Sequence, residues 1–210
     1  MKAYFFRFLS KFFKENIFVF TFLMSVSVPA VTWAETLTAE ARMMQLGAEN
    51  TALSQLVGIW DVTDTIWNSP TAKPIIVSKL IAERKMVGPF LQEVIHPDVG
   101  SPDVYFQRVD YMTFNRIEGR WNYVSMDARA PDGIMPAKSF DRGEPRKITF
   151  VFEPFAVAGS GMEVSGQLLR MNQVFTFGDA DYNVKEQRFL MADGTGNAWT
   201  AHKYEYRRRK

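Results

Sequence analysis

Apolar positions repeat along the chain at two different periods. Leu53, Leu56 and Val57 fall three and four residues apart, on one helical face, and Asn50 stands where an N-cap would. Residues 38–47 and 50–57 are therefore expected to form one interrupted helix or two short ones. From Ile59 the period drops to two and stays near two to the C-terminus. Over 146–153, Ile148, Phe150 and Phe152 alternate with Lys147, Thr149 and Val151. The same alternation predicts strands over 59–67, 75–86, 90–96, 104–113, 121–127, 162–171, 173–178, 184–191 and 198–206. Turn signals separate them, among them Asn68-Ser69-Pro70, Gly88-Pro89, Glu118-Gly119, Pro131-Asp132-Gly133, Gly159-Ser160-Gly161 and Asp193-Gly194. About ten short antiparallel strands make an all-β meander. Such a meander loses its exposed edges by closing into an up-and-down barrel.

The first 34 residues follow a different pattern. Lys2, Arg7, Lys11 and Lys14 precede an apolar run over 17–31, and Thr32-Trp33-Ala34 has the small-x-small form of a cleavage site. That run is shorter than the roughly 20 residues needed to span a bilayer, and Pro29 interrupts it. Residues 1–34 are expected to be an export signal cleaved after Ala34, followed by a helical segment over 35–57 and a barrel domain over 58–210. The destination is a periplasm, or secretion, with no stable membrane insertion after cleavage. Cleavage removes four basic residues and Glu15, taking 25 Lys+Arg and 23 Asp+Glu to 21 and 22, a net charge of −1. That balance gives no preference for nucleic acid or anionic lipid. The remaining basic run, Arg207-Arg208-Arg209-Lys210, is expected to be a solvated tail. The chain has no cysteine, so it forms no disulfide and carries no lipobox anchor. An outer-membrane barrel fits poorly: Lys79, Glu83, Arg108, Asp110, Arg170 and Arg188 interrupt the apolar rows that a lipid-facing wall requires.

The stretch G-I-W-D-V-T-D-T-I-W over 58–67 opens the first strand. A Gly-x-Trp there, after a short helix and ahead of a meander, resembles the lipocalin and calycin group. An indole plugs the narrow end of such a barrel, and the glycine admits a tight turn. The motifs L-V-G-I-W-D-V at 56–62, G-P-F-L-Q-E at 88–93 and V-D-Y-M-T-F-N-R-I-E-G-R-W-N-Y-V-S at 109–125 together resemble the bacterial domain-of-unknown-function family 1579. The likeness spans roughly residues 50–206 and implies a lipocalin-like barrel with no assigned chemistry. Heme-binding nitrobindin-like barrels open with Gly-x-Trp-x-Gly-x-Gly. Val62 and Asp64 stand where those glycines would be, which counts against heme.

Candidate chemistry is sparse. There are two histidines. Alternation places His202 on one strand face with Thr200, Tyr204 and Tyr206, where it suits either a hydrogen-bonded strand position or a heme ligand. His96 precedes Pro97-Asp98 at a strand end and suits a rim. No cysteine and no close histidine pair offers a zinc site, and no EF-hand spacing offers calcium, so no metal is expected. Ser160 lacks the first glycine of a nucleophile elbow. Glu93 and Asp64 suit either an acid/base pair inside the barrel or ion pairs with Arg84, Arg108 or Arg170. If Trp60 points inward, so do Val62, Asp64 and Ile66, and a buried Asp64 needs an Arg or Lys, water or ligand as partner. After residue 34 the chain keeps four tryptophans, nine methionines and ten phenylalanines, a composition that suits a pocket for an irregular apolar ligand as well as it suits a filled barrel. The expected function is non-catalytic binding or carriage of a small apolar or amphipathic molecule, with Trp60, Asp64, Trp67, Phe90, Tyr123, His202 and Tyr204 at the site. The alternatives are a heme or small-gas barrel using His202, an envelope scaffold with a filled barrel, and an enzyme using Asp64 and Glu93. No residue pattern sets an oligomeric state.

Overall fold

The computed structural model describes residues 38, 41, 47–98, 108–128, 133–156 and 167–210. The chain divides into a unit spanning Met1–Met44 and a unit spanning Gln45–Lys210. In the first, the Ala41 amide donates to Thr38 Oγ1 at 3.0 Å. The export segment, most of the helix expected over 38–47, and the Gly159-Ser160-Gly161 turn lie outside the described residues.

The second unit opens with helix α1 (Ala48–Leu53), which runs into a 3-10 turn over Ser54–Leu56. Gly47, in extended backbone and without a side-chain bond, caps this helix. Asn50 is not the N-cap that the sequence suggests. It is buried inside the helix and reads a backbone edge instead: its Nδ2 donates to Phe114 O at 3.2 Å, and its Oδ1 accepts from Phe114 N at 2.7 Å. The strands follow as β1 (Gly58–Ile66), β2 (Ile75–Val87), β3 (Phe90–Pro97), β4 (Arg108–Asn115), β5 (Arg120–Asp127), β6 (Ile134–Ser139), β7 (Lys147–Phe152), β8 (Phe155–Ala156), β9 (Leu168–Phe177), β10 (Tyr182–Met191) and β11 (Trp199–Arg208). All neighbours are antiparallel, β1 pairs with β11, and the β9–β10 pairing closes a ten-stranded barrel. The two-residue β8 sits against β9 alone. Two of the expected strands, over 162–171 and 173–178, are one continuous strand in the described part, because Asn172 faces outward in unbroken ladders with Val151 and Arg188. Strand β6 and the short β8 add to the expected set.

Alternation puts one residue in two inside. Along β4, Arg108, Asp110, Met112 and Phe114 are buried, and along β5, Trp121, Tyr123, Ser125 and Asp127. A bulge in β2 inserts a residue between the Val62–Leu80 and Asp64–Val77 pairs, with Lys79 at φ 63°. A second bulge, in β11, separates the Gln187–His202 and Arg188–Thr200 pairs. It leaves both Ala201 and Tyr204 buried, so Thr200 does not share the face of His202, Tyr204 and Tyr206.

The helical segment plugs the end of the barrel where β1 begins. Leu53 and Leu56 join the core that contains Phe114, Trp121 and Phe150. Trp60 is fully buried and donates Nε1–H to Leu56 O at 2.9 Å. The C-terminal basic run is not a solvated tail. Arg208 donates to Val57 O at 2.6 Å, Gln55 O at 2.7 Å and Ala180 O at 3.0 Å, and lies over the Trp60 ring at 4.2 Å. Arg209 bonds Asp61 and Asp98, and Arg207 lies over the Tyr182 ring. Gly58, at φ 137°, is required by this arrangement, since a Cβ there would meet Arg208 Nη1 at 2.8 Å. Arg208→Ala is expected to cost about 1.5–3 kcal/mol, because hydrogen bonds to a charged group are lost and the helix end is freed. Urea unfolding of the variant checks this.

Candidate functional site

The barrel interior carries a polar network built from inward-facing positions of seven strands. Among the described residues seven charged side chains are buried: Arg84, Arg108 and Lys185, and Asp64, Glu93, Asp110 and Asp127. Glu93 accepts from Arg84 Nε at 2.6 Å, Lys185 Nζ at 2.7 Å and Tyr206 OH at 3.2 Å. Lys185 also donates to Asp110 at 2.9 Å, and Asp110 accepts from Arg108 Nε at 2.9 Å. The Arg108 fork reaches Tyr204 OH at 3.4 Å and Tyr123 OH at 3.3 Å. With the Gln187 amide oxygen turned toward it, both Nη groups donate there at 3.0 and 3.1 Å. Arg84 makes a different use of its guanidinium, which lies over the rings of Tyr206 at 4.3 Å, Trp60 at 4.8 Å and Phe175 at 5.5 Å.

Burial alone would raise the pKa of Asp110. Arg108 and Lys185 outweigh it and hold the carboxyl well below the usual carboxylate range. Glu93 is likewise raised by burial but more strongly lowered by Lys185 and Arg84. Burial, then the charge of Asp110, pushes the Tyr123 hydroxyl well up, and burial with Glu93 does the same to Tyr206. The carboxylates are therefore ionised and these phenols are protonated donors. Because both carboxyls have folded-state pKa values below their unfolded ones, they stabilise the barrel above the unfolded value, roughly pH 4. That contribution is lost as the pH falls toward the folded values, at up to about 1.4 kcal/mol per pH unit per carboxylate. Denaturant unfolding is expected to give lower stability at pH 3 than at pH 6. Equal stability at the two values contradicts the assignment.

The end opposite the helix holds a second, smaller polar unit. Asp64, 1% exposed, accepts from His202 Nδ1 through Oδ2 at 3.1 Å and Oδ1 at 3.3 Å. The His202 ring stacks on Tyr204 at 5.7 Å with an interplanar angle of 7° and lies 6.2 Å from Phe189. Among the described residues no group bonds His202 Nε2, and the side chain is 15% exposed. The partner of Asp64 is thus a histidine, where the sequence suggests an Arg or Lys, water or a ligand. Phe189 and Trp199 pack edge to face at 5.7 Å, and Trp199 Nε1 donates to Trp67 O at 3.2 Å.

Most of the sequence-derived site residues come together here. Tyr123, Tyr204, Asp64 and His202 face the interior, Trp67 packs against its core, and Trp60 plugs the base. Phe90 does not line it: β3 buries Leu91, Glu93 and Ile95, which leaves Phe90 on the outer face, 41% exposed. Glu93 and Asp64 are not an acid/base pair, since Glu93 is held by Arg84, Lys185 and Tyr206, and Asp64 by His202. Ion pairing of Glu93 with Arg84 is the reading that holds, whereas Arg170 faces outward. Lys185, Gln173 and Gln187 were not among the expected site residues, because a lysine in an alternating strand reads as solvent-facing. Among the described residues no group of three or more metal-ligating side chains is present. An outer cleft of about 200 Å³, lined by Ile59, Glu83, Lys85, Gln92 and Val94, lies on the β1–β3 wall.

The fold and its interior define a closed antiparallel barrel with a charged core. No protein-family model matches the chain, and no curated protein matches it. Among solved structures the chain is similar to Rv2717c from M. tuberculosis, with 16% identity and a TM-score of 0.48, over 79% of this chain and 100% of that one.

Proposed function

We propose that the protein is an exported barrel of domain-of-unknown-function family 1579 that binds or carries a small amphipathic molecule without transforming it. The observation that carries this reading is the desolvated ionic network. Replacing buried ion pairs by apolar side chains of similar volume is often neutral or stabilising, so a barrel that needed only to be filled has no use for Arg84, Glu93, Arg108, Asp110 and Lys185 inside. Their use is to present fixed polar groups beneath the aromatic wall of Phe189, Trp199 and Trp67, the pairing of surfaces that an amphipathic ligand requires. Native mass spectrometry of the protein isolated from its own envelope is expected to show a bound small molecule. Repeated recovery of bare protein contradicts the reading.

His202 favours a second reading. With Nδ1 held by Asp64, its free Nε2 is the nitrogen a heme iron would take, in the carboxylate-histidine arrangement that orients ligating imidazoles. Heme reconstitution then gives a Soret band that His202→Ala abolishes, and absence of the band in the parent protein rejects it.

A further inference from the structure

The charges inside the barrel do not balance, and the surplus sits in one place. Arg84, Arg108 and Lys185 face Glu93, Asp110, Asp127 and Asp64, three cations against four carboxylates among the described residues. Glu93 is paired with Arg84 and Lys185, and Asp110 with Lys185 and Arg108. Asp127 stands opposite Arg108 in the β4–β5 ladder and adds to the field on its guanidinium. Asp64 is left with His202 alone. A net buried charge is costly, so this end of the barrel calls for one positive charge, and the place it can be delivered is His202 Nε2.

The geometry points to a ligand with a cationic, hydrogen-bond-donating head, an amine on an apolar body, seated at His202 Nε2; this rests on the carriage reading above and names its ligand class. Asp64 accepts the Nδ1 proton, which makes Nε2 of the neutral imidazole a lone-pair acceptor. An ammonium N–H donates to that nitrogen, and the imidazole passes the polarisation on to Asp64. The surrounding rings suit a cation: Tyr204 stacks on the imidazole, Phe189 lies 6.2 Å from it, and Trp199 backs Phe189. Arg108 does not disfavour the ammonium, because its charge is already met by Asp110 and Asp127. A carboxylate head has the opposite effect. It raises the surplus from one negative charge to two, where each buried cation among the described residues already faces a carboxylate.

The test is a head-group series at constant chain length. Binding of dodecylamine, dodecanol and dodecanoate, each below its micellar concentration, is followed at neutral pH by quenching of tryptophan fluorescence in the full chain and by native mass spectrometry. The amine is expected to bind at least about tenfold more tightly than the carboxylate, a difference of about 1.4 kcal/mol, and more tightly than the alcohol. Asp64→Asn removes the surplus charge and is expected to abolish the advantage of the amine over the alcohol. Equal or tighter binding of dodecanoate or dodecanol by the parent protein overturns the head-group assignment and leaves carriage standing. Failure of all three to bind overturns carriage itself.

Discussion

Glu93→Ala is expected to destabilise the barrel by about 3–5 kcal/mol, the cost of breaking a buried ion pair from one side. Glu93 is the hub of the network, holding Arg84, Lys185 and Tyr206 at once. Its removal leaves Arg84 with ring contacts only, and Lys185 with Asp110 as its remaining carboxylate. Charges without partners in a dry interior are what make the loss large. Replacing the pair together, as Arg84→Met with Glu93→Leu, takes away one charge of each sign, leaves Lys185 on Asp110, and is expected to be closer to the parent in stability than Glu93→Ala. Chemical denaturation of the two variants separates the cases, and a double variant less stable than Glu93→Ala would show that the network serves stability.

The second large effect is expected at Trp60. Trp60→Ala should cost about 3–5 kcal/mol, in the range for an aromatic truncated inside a core. Three losses combine there. The indole volume empties next to Leu80 and Ala82, Leu56 O loses its donor, and both Arg84 and Arg208 lose a ring they lie over. Because the lost hydrogen bond and the Arg208 contact are both attachments of the helical segment, its amides are expected to exchange faster in the variant than in the parent protein. Urea unfolding followed on Trp67, Trp121 and Trp199, together with hydrogen exchange over Ala48–Leu53, checks both effects.

The barrel was legible because its alternation is nearly unbroken from Ile59 onward and its turns carry Gly, Pro, Asn and Asp. Strand β6 was harder to see. Pro136 stands in its middle, and a proline in a run argues against a strand; it is tolerated where Pro136 O accepts from Glu153 N at 3.3 Å, just past the end of the β6–β7 ladder. The site was legible only by halves. Alternation tells which residues share a face and not which face is inside, and the usual guide, charge outward, fails in β3 and β4. There Glu93, Arg108 and Asp110 are the buried positions, so Phe90 falls outside. Asp64 was placed by its companions Trp60 and Val62, two apolar residues that fix the inward face. The bulge in β11 shifts the phase of that strand between Thr200 and His202, so Thr200, expected on the face of His202, lies on the other. A one-residue irregularity leaves no mark in a sequence that carries no glycine at the spot.

The proposed meeting point of barrel and ligand is His202, backed by Asp64. Its most direct test is a long-range proton–nitrogen NMR spectrum of the imidazoles, which is simple to assign because the chain contains two histidines. The His202 ring is expected to carry a proton on Nδ1, and addition of dodecylamine to move the Nε2 resonance of His202 while leaving both nitrogens of His96 in place. A His202 spectrum unchanged by a ligand that binds, or a ring protonated on Nε2 with Nδ1 free, contradicts it.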